Sequence, residues 1–206
     1  MTQRGYFITF EGADGCGKTT QIGIINEYFK NKNVETVVTR EPGGSDLGTD
    51  LRKILLHYEK PVSNVAETFL YLADRAQHIE YKIKPALEAG KIVLCDRHTD
   101  STLAYQGYGR NQNLEQIKTL NSIATNGIIP DLTIVFDIET EIALKRLGDE
   151  KDRMEQEGIE FHKKLRQGYL EIAKNDPKRL KVINANQSID EVSKCTIKII
   201  EEFLKL

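Results

Sequence analysis

One short segment leaves this chain few ways to fold: FITFEGADGCGKTT, residues 7 to 20. Its first residues are apolar and β-branched and predict a strand, and the residues after Lys18 predict a helix. Between them Gly12-Ala13-Asp14-Gly15-Cys16-Gly17-Lys18-Thr19 fits the pattern G-x-x-x-x-G-K-[ST]. Glycines let backbone N–H groups converge on phosphate oxygens, and the helix start adds partial positive charge. Lys18 then reaches the β- and γ-phosphates of a nucleotide and the Thr19 hydroxyl binds Mg²⁺, with Thr20 next in the helix. A glycine-rich turn without a ligand is the bland alternative; the strand before and the helix after make the pattern credible. Cys16 sits at a variable position, where a small residue suffices, although a helix start also lowers a thiol pKa and would suit redox chemistry.

Strand-like runs recur at 34 to 39, 91 to 96, 132 to 137 and 180 to 185, with longer helical spacings between them. Over residues 65 to 89, Phe69, Leu72, Ala76, Ile79 and Ile83 recur at threes and fours and predict an apolar helix face. This alternation predicts an α/β fold: five parallel strands with helices on both faces. The 206 residues, 39% of them hydrophobic, suffice for one core, so residues 1 to 206 are expected to form a single domain. Residues 146 to 158, RLGDEKDRMEQEG, carry dense charge and little to bury, and are expected to form an exposed flap.

With 29 basic against 31 acidic residues the formal charge is −2, so no overall field draws the chain to nucleic acid or a membrane. Cys16, Cys95 and Cys195 are far apart and lack metal-ligand spacing, and the N-terminal apolar run is too short for a signal peptide. A soluble protein of a reducing cytoplasm is expected. Cys95, closing an apolar strand, is expected in the core.

Ligands bind beyond the carboxyl ends of parallel strands, and charge or glycine follows the first three runs there. Asp96-Arg97 closes the third, where the aspartate can hold Mg²⁺ or its waters and the arginine can bridge two phosphates; a surface ion pair is the alternative. Tyr71 and Arg75 lie four apart on one helix face, suited to stacking on and donating to a base, or to a core ring and an ion pair.

FEGADGCGKTTQ, TREPGGSDLG, LADRAQH, DRHTDSTLAYQGYGR, PDLTIVFDI and DRMEQEGIEFHKKLRQGYLEIA follow one another in the order of the bacterial thymidylate kinases, which the chain resembles from about residue 5 to 185. That resemblance implies phosphoryl transfer from ATP to dTMP with Mg²⁺ held by Thr19 and Asp96. It implies that Asp14 accepts from the 3′-hydroxyl, Tyr71 stacks on thymine and Arg75 donates to O4. Thr102 would face N3, Tyr105 would crowd the 2′ position and Gln106 would make a nearby polar contact. Arg40, Glu41, Pro42 and Arg52 resemble the wall around sugar and phosphate. Lys18, Arg97 and Arg153 of the LID would neutralise the transferred group, and helices such as 65 to 89 and 158 to 173 would also form a homodimer.

An arginine only donates, so Arg75 suits the O4 acceptor of thymine and not the amino group of cytosine. The LID segment before Arg153 is shorter and poorer in arginine than usual, which leaves the reach of Arg146 open. His98 stands where many relatives have an aromatic ring, and packing rather than base catalysis is the simpler role, because the dTMP phosphate is already anionic. His57, His78 and His162 are expected on the surface or a helix face. A kinase of another monophosphate or of a deoxynucleoside, and a nucleotide sensor without turnover, are the rival readings.

Overall fold

The computed structural model describes residues 4–148 and 151–205; Asp149 and Glu150 of the expected flap lie outside the described residues. Five strands form one parallel sheet in the order β2-β3-β1-β4-β5. They are β1 (Phe7–Glu11), β2 (Thr36–Arg40), β3 (Ile92–Asp96), β4 (Leu132–Asp137) and β5 (Leu180–Asn184), each where the sequence runs predict it. Phe10 pairs with Asp96 on one side of β1 and Glu11 with Val135 on the other. The turns after β1 and β3 therefore leave the middle of the sheet side by side, at its carboxyl edge.

Alternation along β1 assigns its two faces. Phe7 packs with Ile79, Ile83 and Leu87, whereas Ile8 and Phe10 pack with Ile22, Ile25 and Phe29. The latter belong to α1 (Lys18–Asn31), whose buried residues recur at threes and fours, as a helix on a sheet requires. Beside it lies α9 (Ile189–Leu204), started by a reciprocal cap between Ser188 and Glu191. The remaining helices are α2 (Asp46–His57), α3 (Asn64–His78), α4 (Lys84–Glu88), α5 (Thr99–Thr102), α6 (Leu114–Ala124), α7 (Thr140–Arg146) and α8 (Ile159–Asn175).

The expected helix over 65 to 89 is α3, a π-helical turn at Ile79–Ile83 and α4. Pro85 has no N–H to give back to Tyr81, and a widened turn before it accommodates the ring. The expected apolar face needs correction. Leu72, Ile79 and Ile83 are buried, but Phe69 is 54% exposed and Ala76 faces solvent. In their place α3 buries Glu67, Asp74, Arg75 and His78. Apolar spacing alone misses this, because a charged group is buried only when its partners come from elsewhere in the chain. His78 and His162 are likewise buried, against expectation, while His57 is exposed. Cys95 is in the core as expected. The flap also buries more than its composition suggests, since Met154 packs with Leu56, Tyr105 and Phe161. No helix among the described residues is long and apolar enough to cross a membrane.

α8 crosses the π-helical segment Leu103–Gly109 so closely that a Cβ on Gly168 would lie 2.7 Å from the Tyr108 ring. Gly168→Ala is expected to lower stability by about 1–3 kcal/mol through overpacking. Gly23→Ala, on α1 with nothing within 4 Å of the added methyl, is expected to raise it by about 1 kcal/mol. Urea denaturation of both variants checks the pair.

Candidate active site

The turn after β1 accepts no side chain at two of its glycines. A Cβ on Gly12 would stand 2.6 Å from the Phe136 carbonyl oxygen, and one on Gly15 would stand 2.3 Å from that of Ala143 in α7. Gly15 also adopts a φ of 78°, in the left-handed region that favours glycine. Lys18 Nζ donates to the carbonyls of Gly12 at 3.1 Å and Ala13 at 2.9 Å, and lies 3.6 Å from Cys16 Sγ. Cys16 is itself buried beneath the turn, away from oxidants. The Thr19 hydroxyl donates to Asp96 Oδ2 at 3.3 Å, and Asp96 Oδ1 is buried without a partner. A hydroxyl and an unspent carboxylate oxygen, side by side next to a phosphate turn, form a donor set that fits Mg²⁺.

Arg97 takes a left-handed φ of 68°, which only a tethered non-glycine residue holds at little risk. Its tethers are Nη1 to Gly12 O at 2.9 Å and to the Tyr169 hydroxyl at 3.1 Å, and Nη2 to Asp14 Oδ1 at 2.6 Å. Tyr105 donates to the other Asp14 oxygen at 2.8 Å. Desolvation alone would raise the Asp14 pKa, but Arg97, then Lys18 and Tyr105, outweigh it and hold the carboxyl well below the ordinary range.

Two adjoining clefts meet at this pair. One is lined by Lys18, Thr19, Thr20, Arg40 and Asp96; the other by Pro42, Tyr71, Arg75, Thr102, Tyr105 and Gln106. Asp14, Glu41, Arg52 and Arg97 line both. The second opens to solvent, with Tyr71 and Arg75 among its lining residues. Burial pushes the Tyr71 phenol up, with Glu67 adding to it, so the ring is neutral.

Arg75 is fully engaged. Nε donates to Glu41 Oε2 at 2.8 Å, Nη1 to Thr102 Oγ1 at 2.7 Å and Asn121 Oδ1 at 2.6 Å, and Nη2 to the His98 carbonyl at 2.9 Å. Nη2 also lies 2.8 Å from Glu41 Oε2, so all five N–H groups have acceptors. Glu41 Oε1 accepts from His78 Nδ1 and His98 Nδ1, each at 2.9 Å. Burial opposes its ionisation, but Arg75 and the two histidines hold it well below the usual range. His98 is sealed behind this carboxylate with its ring edge-on to Phe7, which is packing and leaves it no access to a reacting group.

Arg153 is not in either cleft. Its guanidinium is bonded to Glu67 and to the Leu55 carbonyl. Arg146, at the end of α7, instead lies by the turn, with Nη1 3.5 Å from Gly15 O. Residues that the motifs did not indicate include Glu67, Asn121, Tyr169 and Glu11. Glu67 carried a signal, being one helical turn before Tyr71 and two before Arg75; Asn121 carried none.

A parallel sheet with a glycine-lined phosphate turn after its first strand, and a lysine and hydroxyl opening the following helix, is a P-loop NTPase fold. A family model for thymidylate kinase matches residues 10–195. A thymidylate kinase of Caldanaerobacter subterraneus subsp. tengcongensis is 47% identical over 203 residues, covering 98% of each chain. One from a Thermoanaerobacter species is 48% identical over 202 residues, covering 98% of this chain and all of the other. The crystal structure of thymidylate kinase from Ehrlichia chaffeensis superposes with a TM-score of 0.80 at 35% identity, over 96% of this chain and 99% of that one. The chain belongs to the thymidylate kinase family.

Glu11, the last residue of β1, is buried behind Arg97. It accepts from Ser101 Oγ at 2.6 Å, Tyr169 OH at 3.2 Å and the His98 N–H at 2.8 Å. Burial, with Asp100 nearby, pushes its pKa from 4.5 up to about 7. A carboxyl raised on folding stabilises fully below its unfolded pKa and loses that contribution as pH rises through the folded value. Unfolding free energy relative to Glu11→Gln should therefore fall between pH 4.5 and about 7, by up to about 3 kcal/mol, in denaturation series across that window.

Proposed function

We propose that this chain transfers the γ-phosphoryl group of ATP to dTMP, giving dTDP and ADP, with Mg²⁺. The observation that carries this is the sharing of Asp14 and Arg97 by the cleft at the phosphate turn and the cleft lined by Tyr71, Arg75 and Thr102, which would set a donor and an acceptor on either side of one guanidinium. In-line transfer asks for alignment and charge neutralisation more than for covalent chemistry. Lys18 exchanges the Gly12 and Ala13 carbonyls for phosphate oxygens. Arg97, already projecting between the clefts, bridges donor and acceptor phosphates. Thr19 and Asp96 would hold Mg²⁺, which supplies further positive charge at the phosphates when bound. No strong base is required, because the acceptor phosphate is an anion at neutral pH.

On the acceptor side Tyr71 stacks on the base, and O4 competes with Thr102 for an Nη1 proton of Arg75, leaving the Thr102 hydroxyl free to meet N3. Asp14 accepts from the 3′-hydroxyl. Tyr105, held by Asp14, fills the space of a 2′-hydroxyl, with Gln106 beside it. Arg40, Glu41, Pro42 and Arg52 wall the sugar and phosphate. Residues 1 to 206 act as a single kinase domain of the cytoplasm with residues 146 to 158 as its LID, and Arg146 is the LID-side cation within reach of the P-loop.

We further propose a homodimer through α3 and α6, where Val65, Phe69, Ile117 and Leu120 line an apolar groove. Val65 and Phe69 are 60% and 54% exposed, and removing such area from water favours association. Phe69→Glu is expected to yield monomers in sedimentation velocity; an unchanged sedimentation coefficient would place the interface elsewhere.

Steady-state rates across dTMP, dUMP, dCMP, dGMP and AMP test the activity, with the highest kcat/KM expected for dTMP. A preference for either purine nucleotide would rule out this pocket. Lys18→Ala is expected to lower kcat by about 10²–10³, as loss of one preorganised donor to a developing charge does. Retained nucleotide binding with no turnover in the wild type would favour a sensor.

A further inference from the structure

Glu67 is 1% exposed on α3, one turn before Tyr71, and its hydrogen bonds go to Gln106, Arg110 and Arg153 and to none of Lys18, Thr19, Asp96 or Arg97. Its Oε1 accepts from Gln106 Nε2 at 2.9 Å and Arg110 Nε at 3.3 Å; its Oε2 accepts from Arg110 Nη2 at 3.2 Å and Arg153 Nη1 at 2.5 Å. Helix α3, the π-helical segment with the residue after it, and the flap therefore meet on one carboxylate. Other contacts fasten the flap at the same place. Arg153 donates from Nε to Leu55 O at 2.9 Å and from its backbone N–H to Leu56 O at 3.0 Å. Arg110 reaches past Glu67 to Glu157 at 2.5 Å. Within the flap, Asp152 Oδ1 accepts from the Met154 and Glu155 N–H groups at 2.8 and 2.9 Å, closing the turn.

This turn forms part of the second cleft, because Asp152 and Met154 line it together with Tyr71 and Tyr105. Gln106 lines it too while donating to Glu67, so pocket and flap draw on the two oxygens of one carboxylate. Removing one partner of a buried charge pair leaves the other uncompensated, which is far more disruptive than losing a surface pair. Nε and Nη1 of Arg153 are bonded to the Leu55 carbonyl and Glu67, Nη2 is buried without a partner among the described residues, and the residue lines neither cleft.

We propose that Glu67 is a positioning residue that fastens residues 152–157 as a wall of the acceptor pocket, with Arg153 acting as its counter-ion and not as a ligand of the transferred phosphoryl group. The kinetic part of this rests on the pocket being the dTMP site; the fastening of the flap does not.

Amide hydrogen exchange over residues 152–157 without nucleotide, and steady-state kinetics with dTMP, on the full chain as wild type, Glu67→Gln, Arg153→Ala and the double variant, test it. Each single variant should speed exchange there and raise KM for dTMP by about tenfold, with kcat at saturation changed by less than about threefold, because acceptor binding is lost and not transition-state charge. The double variant should resemble the singles, since both remove one contact. Unchanged exchange in both singles would overturn the proposal. So would a loss in kcat of about 10² or more in Arg153→Ala alone, the signature of a phosphate ligand. If Glu67→Gln does not fold, Arg153→Ala supports both readouts by itself, its side chain being partly exposed. Should dTMP prove not to be the acceptor, the exchange result still decides the role of Glu67 in the flap.

Discussion

The ion pair between Glu41 and Arg75 is the contact on which the cleft lined by Tyr71 and Thr102 depends. Both side chains are about 2% exposed, at the end of β2 and on α3. Neither tolerates burial alone, and breaking such a pair by removing one member costs about 3–5 kcal/mol, whereas forming it yields little net stability. Its contribution is definition. Satisfying five guanidinium protons and two carboxylate oxygens at once requires α5, α6, His78 and the turn after β3 in one arrangement, which also orients Thr102.

The same logic runs through the phosphate side. Arg97, Asp14, Tyr105 and Lys18 already have partners within the protein, so under the proposed function a phosphate would exchange contacts with groups that are in place and would not have to recruit them. Little reorganisation is then needed as charge develops, which is the physical basis of electrostatic preorganisation. Glu11 supports the arrangement from behind, through the two hydroxyls that also contact Arg97.

The flap shows how charge density misleads about burial. A stretch composed like a solvated turn contributes Met154 to a core cluster and Arg153 to a buried carboxylate. Side chains of this kind are drawn inward by partners on α3 and the π-helical segment, neither of which is near them in sequence.

Local physics made much of the protein legible beforehand. Strand and helix periods placed the five strands, and steric demands that only glycine meets fixed the turn from Gly12 to Gly17 beside a lysine and a hydroxyl. These depend on residues within a few positions of one another. Partner choice does not: Asp14 meets Arg97 across 83 residues, Arg75 meets Asn121 across 46 and Arg153 meets Glu67 across 86. Which face of α3 is buried, why Phe69 is outside while Arg75 is inside, and where the LID arginine points were settled by three-dimensional packing, since a buried charge is stabilised by neighbours that the linear order does not name.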